Sequence, residues 1–101
     1  MLEAINKIFE ISKKYKTEEE FSKDYISFDA TMMNFIVVGE MANKLSESFK
    51  EKHNTIEWRK ISDLRNIIAH DYFGIDDKEV WQIIKKKIPQ LKNYLEQNLV
   101  P

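Results

Sequence analysis

The chain has 101 residues, enough for one domain with a modest core and with little room for a second. With 43% hydrophobic and 33% charged residues, its composition excludes a disordered chain. A formal net charge of −1 leaves no general basic field to draw in nucleic acid, and the lack of cysteine rules out disulfides, thiolate catalysis and cysteine-based metal sites.

The opening Met1-Leu2-Glu3-Ala4-Ile5-Asn6-Lys7 carries an early acid and no apolar stretch, so no signal peptide is expected there. Leu2, Ile5, Ile8, Phe9 and Ser12 share one face of a first helix ending near Lys14. Thr17 followed by Glu20 reads as a capping box for a short helix through about Asp24. The longest helix is expected from about Ser27 to Lys52, with Met32, Phe35, Ile36, Val38, Met41, Ala42, Leu45 and Phe49 at helical spacing. Gly39 within it costs about 1 kcal/mol relative to alanine, which points to close helix packing or to a local necessity at that position. The longest apolar run, Phe35 to Val38, is far too short to cross a bilayer, and a cytoplasmic protein is the expectation.

His53-Asn54-Thr55 is a turn, and Thr55 or Glu57 opens a third major helix carrying Trp58, Ile61, Leu64 and Ile68. That helix should stop between Asp71 and Gly74. Asp76 or Asp77 caps a fourth, with Val80, Trp81, Ile84 and Ile88 inward and a kink at Pro89, which lacks a backbone donor. Leu91, Tyr94, Leu95 and Leu99 continue the pattern. Two glycines, two prolines and no repeat or linker favour long helices: the expected fold is all-α, a single-domain bundle of four to five helices over residues 1–101.

One stretch, from Asp63 to Gly74, concentrates polar chemistry. At about 100° per residue, Ile61, Leu64 and Ile68 form one stripe, while Asp63, Asn66 and His70 fall nearly opposite. Asn66 and His70, four apart, stack and can share a hydrogen bond. Arg65 lies at the border and can swing toward His70. Tyr72, seven residues after Arg65, lines up with it if the helix extends that far. A plainer origin fits the same residues. A histidine at a helix C-terminus complements the dipole by about 0.3–1 kcal/mol, and Arg65-Asn66 can be a surface or interface pair.

The longer pattern is more specific. Arg65, four residues, His70, one residue and Tyr72 resemble the signature of the HEPN superfamily, in its HepT-like branch. The resemblance also takes in Gly39-Glu40 with Ala42 and Leu45, Trp58-Arg59-Lys60-Ile61, His70 through Asp76, Val80-Trp81, and Ile88-Pro89-Gln90-Leu91. It spans Leu2 to about Leu99.

The resemblance implies a HEPN-like homodimer with two such motifs facing each other across a cleft. It implies a metal-independent endoribonuclease without cofactor, the toxin of a prokaryotic toxin–antitoxin pair. Arg65 and His70 would be its catalytic residues, with Asn66, Asp63 and Glu40 in support. The antitoxin would be an MntA-like minimal nucleotidyltransferase that silences the toxin by attaching AMP to Tyr72. A non-catalytic HEPN subunit that binds such a nucleotidyltransferase or its nucleotide is the alternative.

The residue types suit RNA chemistry. RNA carries its own nucleophile, the 2′-OH, so the enzyme needs only proton transfer and charge stabilisation. An imidazole with an ordinary pKa near about 6.5 serves either side of the transfer. A guanidinium grips a phosphate bidentately and offsets the charge growing on it. Asn66 would orient His70 or contact the phosphate.

Two departures from the family accompany these matches: relatives usually carry additional helix before the Leu2 to Ile8 segment, so a shortened N-terminus is expected here, and Met33 stands where relatives commonly carry an arginine. Glu40 is either a buried carboxylate facing the motif helix or a solvated or capping residue. His53 is expected to be exposed. Lys85-Lys86-Lys87 is expected to form a solvated face, with RNA backbone contact as the alternative. Trp58, Trp81 and Phe73 are core or interface anchors. The sequence has no glycine-rich phosphate loop, no His-x-x-x-His pair and no serine elbow, which disfavours metal-dependent and nucleotide-hydrolysing enzymes.

Overall fold

A computed structural model describes residues 1–98; the expected C-terminal anchor Leu99 lies outside them. The described residues are helical, with no strand among them. Helix α1 (Leu2–Ser12) buries Ala4, Ile5, Ile8 and Ser12, the face that the apolar spacing marks. Thr17 caps α2 (Glu18–Lys23): its hydroxyl accepts the Glu20 N–H at 3.2 Å, half of the expected capping box. Phe21 on α2 is fully buried.

The expected long helix is two helices. Helix α3 (Tyr25–Lys44) starts two residues early because Asp24 accepts the Ser27 N–H. It ends at Leu45, which turns to extended backbone. Ser46 then caps the short α4 (Glu47–Lys52) by accepting the Phe49 N–H at 3.2 Å. The apolar period continues across the break, so periodicity alone hides it, while a serine able to satisfy a free backbone donor starts the new helix.

Asp24 also ties α2 to the preceding loop. The Tyr15 hydroxyl donates to Asp24 Oδ2 at 2.5 Å and lies 2.7 Å from Ser27 Oγ. These contacts, the Tyr15 bond foremost and the Ser27 N–H next, hold the Asp24 carboxyl below its ordinary value of 3.8. A depressed carboxylate contributes stability that is complete above its unfolded value and fades as pH falls through its folded one. In titrations of stability against pH, Asp24→Asn should therefore be less stable than wild type at neutral pH and should lose part of the wild type's acid sensitivity below about pH 4. Parallel curves for the two proteins would contradict this.

Helix α5 (Trp58–His70) follows Glu57, as expected, although Glu57 offers no side-chain cap. His53 is not the exposed turn residue anticipated. It is half-buried, with Nδ1 2.7 Å from the Tyr94 hydroxyl, and its carbonyl accepts the Trp58 indole N–H at 3.1 Å. Contact with a tyrosine 41 residues away has no local sequence signal. A 3₁₀ turn (Tyr72–Gly74) leads to α6 (Asp77–Gln82), which Asp76 caps through the Lys78 and Glu79 N–H groups.

The irregularity expected at Pro89 lies just upstream, in a π turn (Ile83–Lys87) before α7 (Ile88–Asn98). There the Ile88 N–H reaches back five residues to the Ile83 carbonyl. The widened turn changes the ladder's register ahead of a residue that has no N–H to give.

Helix α3 is central. It packs on α5 along one side and α1 along another, while α2 and the α6–α7 rod close the bundle. This position buries Thr31, Met32, Phe35, Val38, Gly39 and Ala42 on several of its faces. Phe21 joins the layers: its ring lies 5.4 Å from Trp81 and 5.6 Å from Phe28, and Phe28 meets Tyr72 edge-on at 6.3 Å. Each such pair contributes about 0.5–1.5 kcal/mol beyond area burial. The aromatic chain thus ties the turn after α5 to the core.

Candidate active site at the end of helix α5

Helix α5 divides as its spacing requires. Ile68 is buried, Ile61 and Leu64 are half-buried, and Asp63, Asn66 and His70 are exposed. His70 is the last residue of the helix, which Asp71 ends by leaving helical geometry. Among the described residues the His70 side chain has no hydrogen-bond partner.

Arg65 is seated by a close crossing of α3 and α5. A Cβ at position 39 would overlap the Arg65 Cβ, lie 2.9 Å from its Cγ and 3.3 Å from the Ile61 carbonyl oxygen. Glycine is therefore demanded by the approach of the two helices, which accounts for its presence inside α3 despite its poor propensity. From that base the guanidinium reaches Glu40 on α3, with Nη2 2.5 Å from Oε1. Its Nη1 donates to Asn66 Oδ1 at 3.0 Å. Nε is enclosed with no partner. Both ends of the Arg65–Glu40 pair remain partly in water, at 28% and 43% side-chain exposure, so the pair orients the guanidinium more than it stabilises the fold.

Several expectations change here. Glu40 faces the motif helix, one of its two anticipated roles, but half-buried and in an ion pair. Asn66 turns to Arg65 and not to His70. Asp63 joins neither Arg65 nor His70: it borders a separate apolar groove of about 430 Å³ floored by Phe35 and Val38. Tyr72 does not extend the helix, and sits on the 3₁₀ turn.

Its hydroxyl donates a short hydrogen bond to Asp29 on α3. Burial first, and the Asp29 carboxylate next, push the Tyr72 phenol well above its ordinary range, so at neutral pH it is a protonated donor. Asp29 escaped the sequence reading, because its partner lies 43 residues away and nothing local marks it.

Trp58 and Trp81 are buried, as read from sequence, whereas Phe73 is fully exposed and is no core residue. Lys85 lies over the Trp81 ring at 4.4 Å and Lys87 stands 3.9 Å from Glu57; the lysine run is an exposed face. Among the described residues, no group of three or more histidine or carboxylate side chains is placed to hold a metal ion. No described helix is long and apolar enough to cross a membrane.

Comparison with known proteins gives the family. The model of the family described as Ribonuclease HepT-like matches residues 1–98. A Methanocaldococcus jannaschii protein named "Gamma-glutamylcyclotransferase and putative RNase" is 37% identical over 92 residues, 91% of this chain but 41% of that protein. The chain thus spans less than half of that relative. A "Putative RNase" of Caldanaerobacter subterraneus subsp. tengcongensis is 32% identical over 81 residues, 80% of this chain and 72% of that protein. The "Probable ribonuclease HepT" of Thermococcus cleftensis is 31% identical over 98 residues, covering 94% of this chain and 89% of its own. No solved structure matches the chain. On the match across residues 1–98, this chain belongs to the HepT-like ribonucleases, a family of endoribonucleases in the HEPN superfamily.

Proposed function

We propose that this chain is a metal-independent endoribonuclease that works as a homodimer, with Arg65 and His70 as its catalytic pair. The observation that carries the reading is one helix end that offers an exposed imidazole at His70 and, five residues earlier, a guanidinium oriented by Glu40 and Asn66. Oriented donors suit a phosphate, because stabilising charge that grows in the transition state needs little reorganisation.

One His70 removes the proton of the ribose 2′-OH, whose oxygen bonds to phosphorus. The partner's His70 protonates the departing 5′ oxygen. The products are a 2′,3′-cyclic phosphate and a 5′-hydroxyl. Arg65 offsets the charge on the non-bridging oxygens. Dimerisation is supported by a row on α3, Ile26, Met33, Val37 and Met41, that leaves large apolar side chains in water, Met33 at 60% exposure.

In this reading the protein acts in the cytoplasm as the toxin of a toxin–antitoxin pair. An MntA-like nucleotidyltransferase silences it by AMPylation of Tyr72. The Tyr72 oxygen attacks the α-phosphorus of ATP, pyrophosphate leaves, and the phenolic proton passes to Asp29, which already accepts its hydrogen bond. The adduct would then sit two residues from His70.

Incubating the purified chain with RNA, and with DNA of the same sequence, in EDTA tests the chemistry. RNA should be cut to cyclic-phosphate ends while DNA stays intact. Cleavage that stops in EDTA and returns with magnesium would sink the mechanism. Nucleotide binding with no RNA cleavage would point instead to a non-catalytic subunit.

A further inference from the structure

His70 has no side-chain partner among the described residues, so its imidazole stands where the backbone at the end of α5 puts it. Local means finish that end weakly. Helix termini fray unless something holds them, and the usual device is a left-handed residue just past the helix. Here Asp71 leaves helical geometry at φ −143° and ψ 54°, and no described residue has a positive φ.

The hold comes from α3. The Tyr72 hydroxyl donates to the Asp29 carboxylate, and the Tyr72 ring meets Phe28 edge-on at 6.3 Å. Both partners lie in the first two turns of α3. Further along the same helix, about 15 Å from Asp29, Gly39 takes the base of Arg65. Helix α5 and its turn are thus fastened to α3 at Arg65 and at Tyr72, and His70 lies between those two residues in the chain. A hydroxyl bonded to an ionised carboxylate is among the stronger kinds of hydrogen bond. Burial and that carboxylate keep the phenol protonated, so the donor is retained throughout the range in which an imidazole works.

We propose that Asp29 is a positioning residue for RNA cleavage: through Tyr72 it pins the turn after α5 and fixes His70 relative to Arg65. The inference rests on the reading of Arg65 and His70 as the catalytic pair. Asp29 bonds to neither of them and acts through geometry. Little movement is needed, because misplacing a catalytic group by about 1 Å costs about 10²-fold in rate. Asp29 is also exposed, so its loss removes no core packing.

The test compares wild type with Asp29→Ala, Asp29→Asn, Tyr72→Phe and the Asp29→Ala/Tyr72→Phe double variant. Cleavage of a random-sequence pool of single-stranded RNA is measured well below each Tm, and amide hydrogen exchange is followed in the same proteins. Asp29→Ala should lower kcat about 10–100-fold with little change in KM. Asparagine keeps an acceptor oxygen, so Asp29→Asn should recover most of the rate. Tyr72→Phe should lose as much as Asp29→Ala, and the double variant no more than either. Exchange should rise at the end of α5 and in the Tyr72 turn while α1 keeps its wild-type protection. If wild type cleaves no RNA, the catalytic reading fails and takes the inference with it. If wild type cleaves and Asp29→Ala keeps its kcat, the inference alone is overturned. A double variant whose loss is the product of the single losses overturns it too. So does a rate loss accompanied by faster exchange throughout the bundle, which would make Asp29 merely structural.

Discussion

His70→Ala is expected to lower RNA cleavage by roughly 10²–10⁴-fold with little change in stability, the range that positioned acid–base catalysis supplies. Both halves of that expectation come from where the residue lies. His70 closes α5 on its solvent face and has no side-chain partner among the described residues, so its removal opens no cavity and strands no polar group. The loss should appear in kcat more than in KM, because proton transfer is a transition-state interaction. Thermal unfolding of wild type and variant, measured beside single-turnover cleavage, separates the two effects. A variant that cleaves at the wild-type rate would remove His70 from the mechanism. One that has lost several degrees of Tm would make it structural.

Gly39→Val should be the more damaging change to the fold. The added Cβ meets the Arg65 Cβ and the Ile61 carbonyl oxygen, and neither yields by a simple rotamer change. A valine adds two methyl groups beyond that Cβ, so α3 and α5 must separate. Overpacking of this kind costs about 1–3 kcal/mol, and sometimes more, which exceeds the helix propensity gained by replacing glycine. Because Arg65 rides on the same contact, activity should fall further than stability explains. Denaturant titration with cleavage measured well below the unfolding midpoint tests this. Full activity in a stable Gly39→Val protein would show that the close crossing does not seat the guanidinium. Gly39→Ala should lie between the two, since its propensity gain of about 1 kcal/mol offsets part of the clash.

The amino-acid order alone determined a good deal. Helices α2 and α6 begin where Thr17 and Asp76 cap them, and the apolar stripe of α5 turns inward as its spacing demands. These are local matters: a cap satisfies a donor two or three residues on, and amphipathic period is set by 3.6 residues per turn. Arg65, His70 and Tyr72 stood out for the same reason, being close in sequence.

Tertiary structure decided the rest. The Glu40–Arg65 pair, the Tyr72–Asp29 bond and the His53–Tyr94 contact all depend on how segments distant in sequence meet. The same holds for Asp63, which shares a helix with Arg65 yet borders a different groove, and for Phe73, which is bare only because no described element folds over its turn. Side-chain periodicity says which way a residue points along its own helix. What it meets there depends on the neighbouring helix, and in this bundle a glycine in α3 sets that distance.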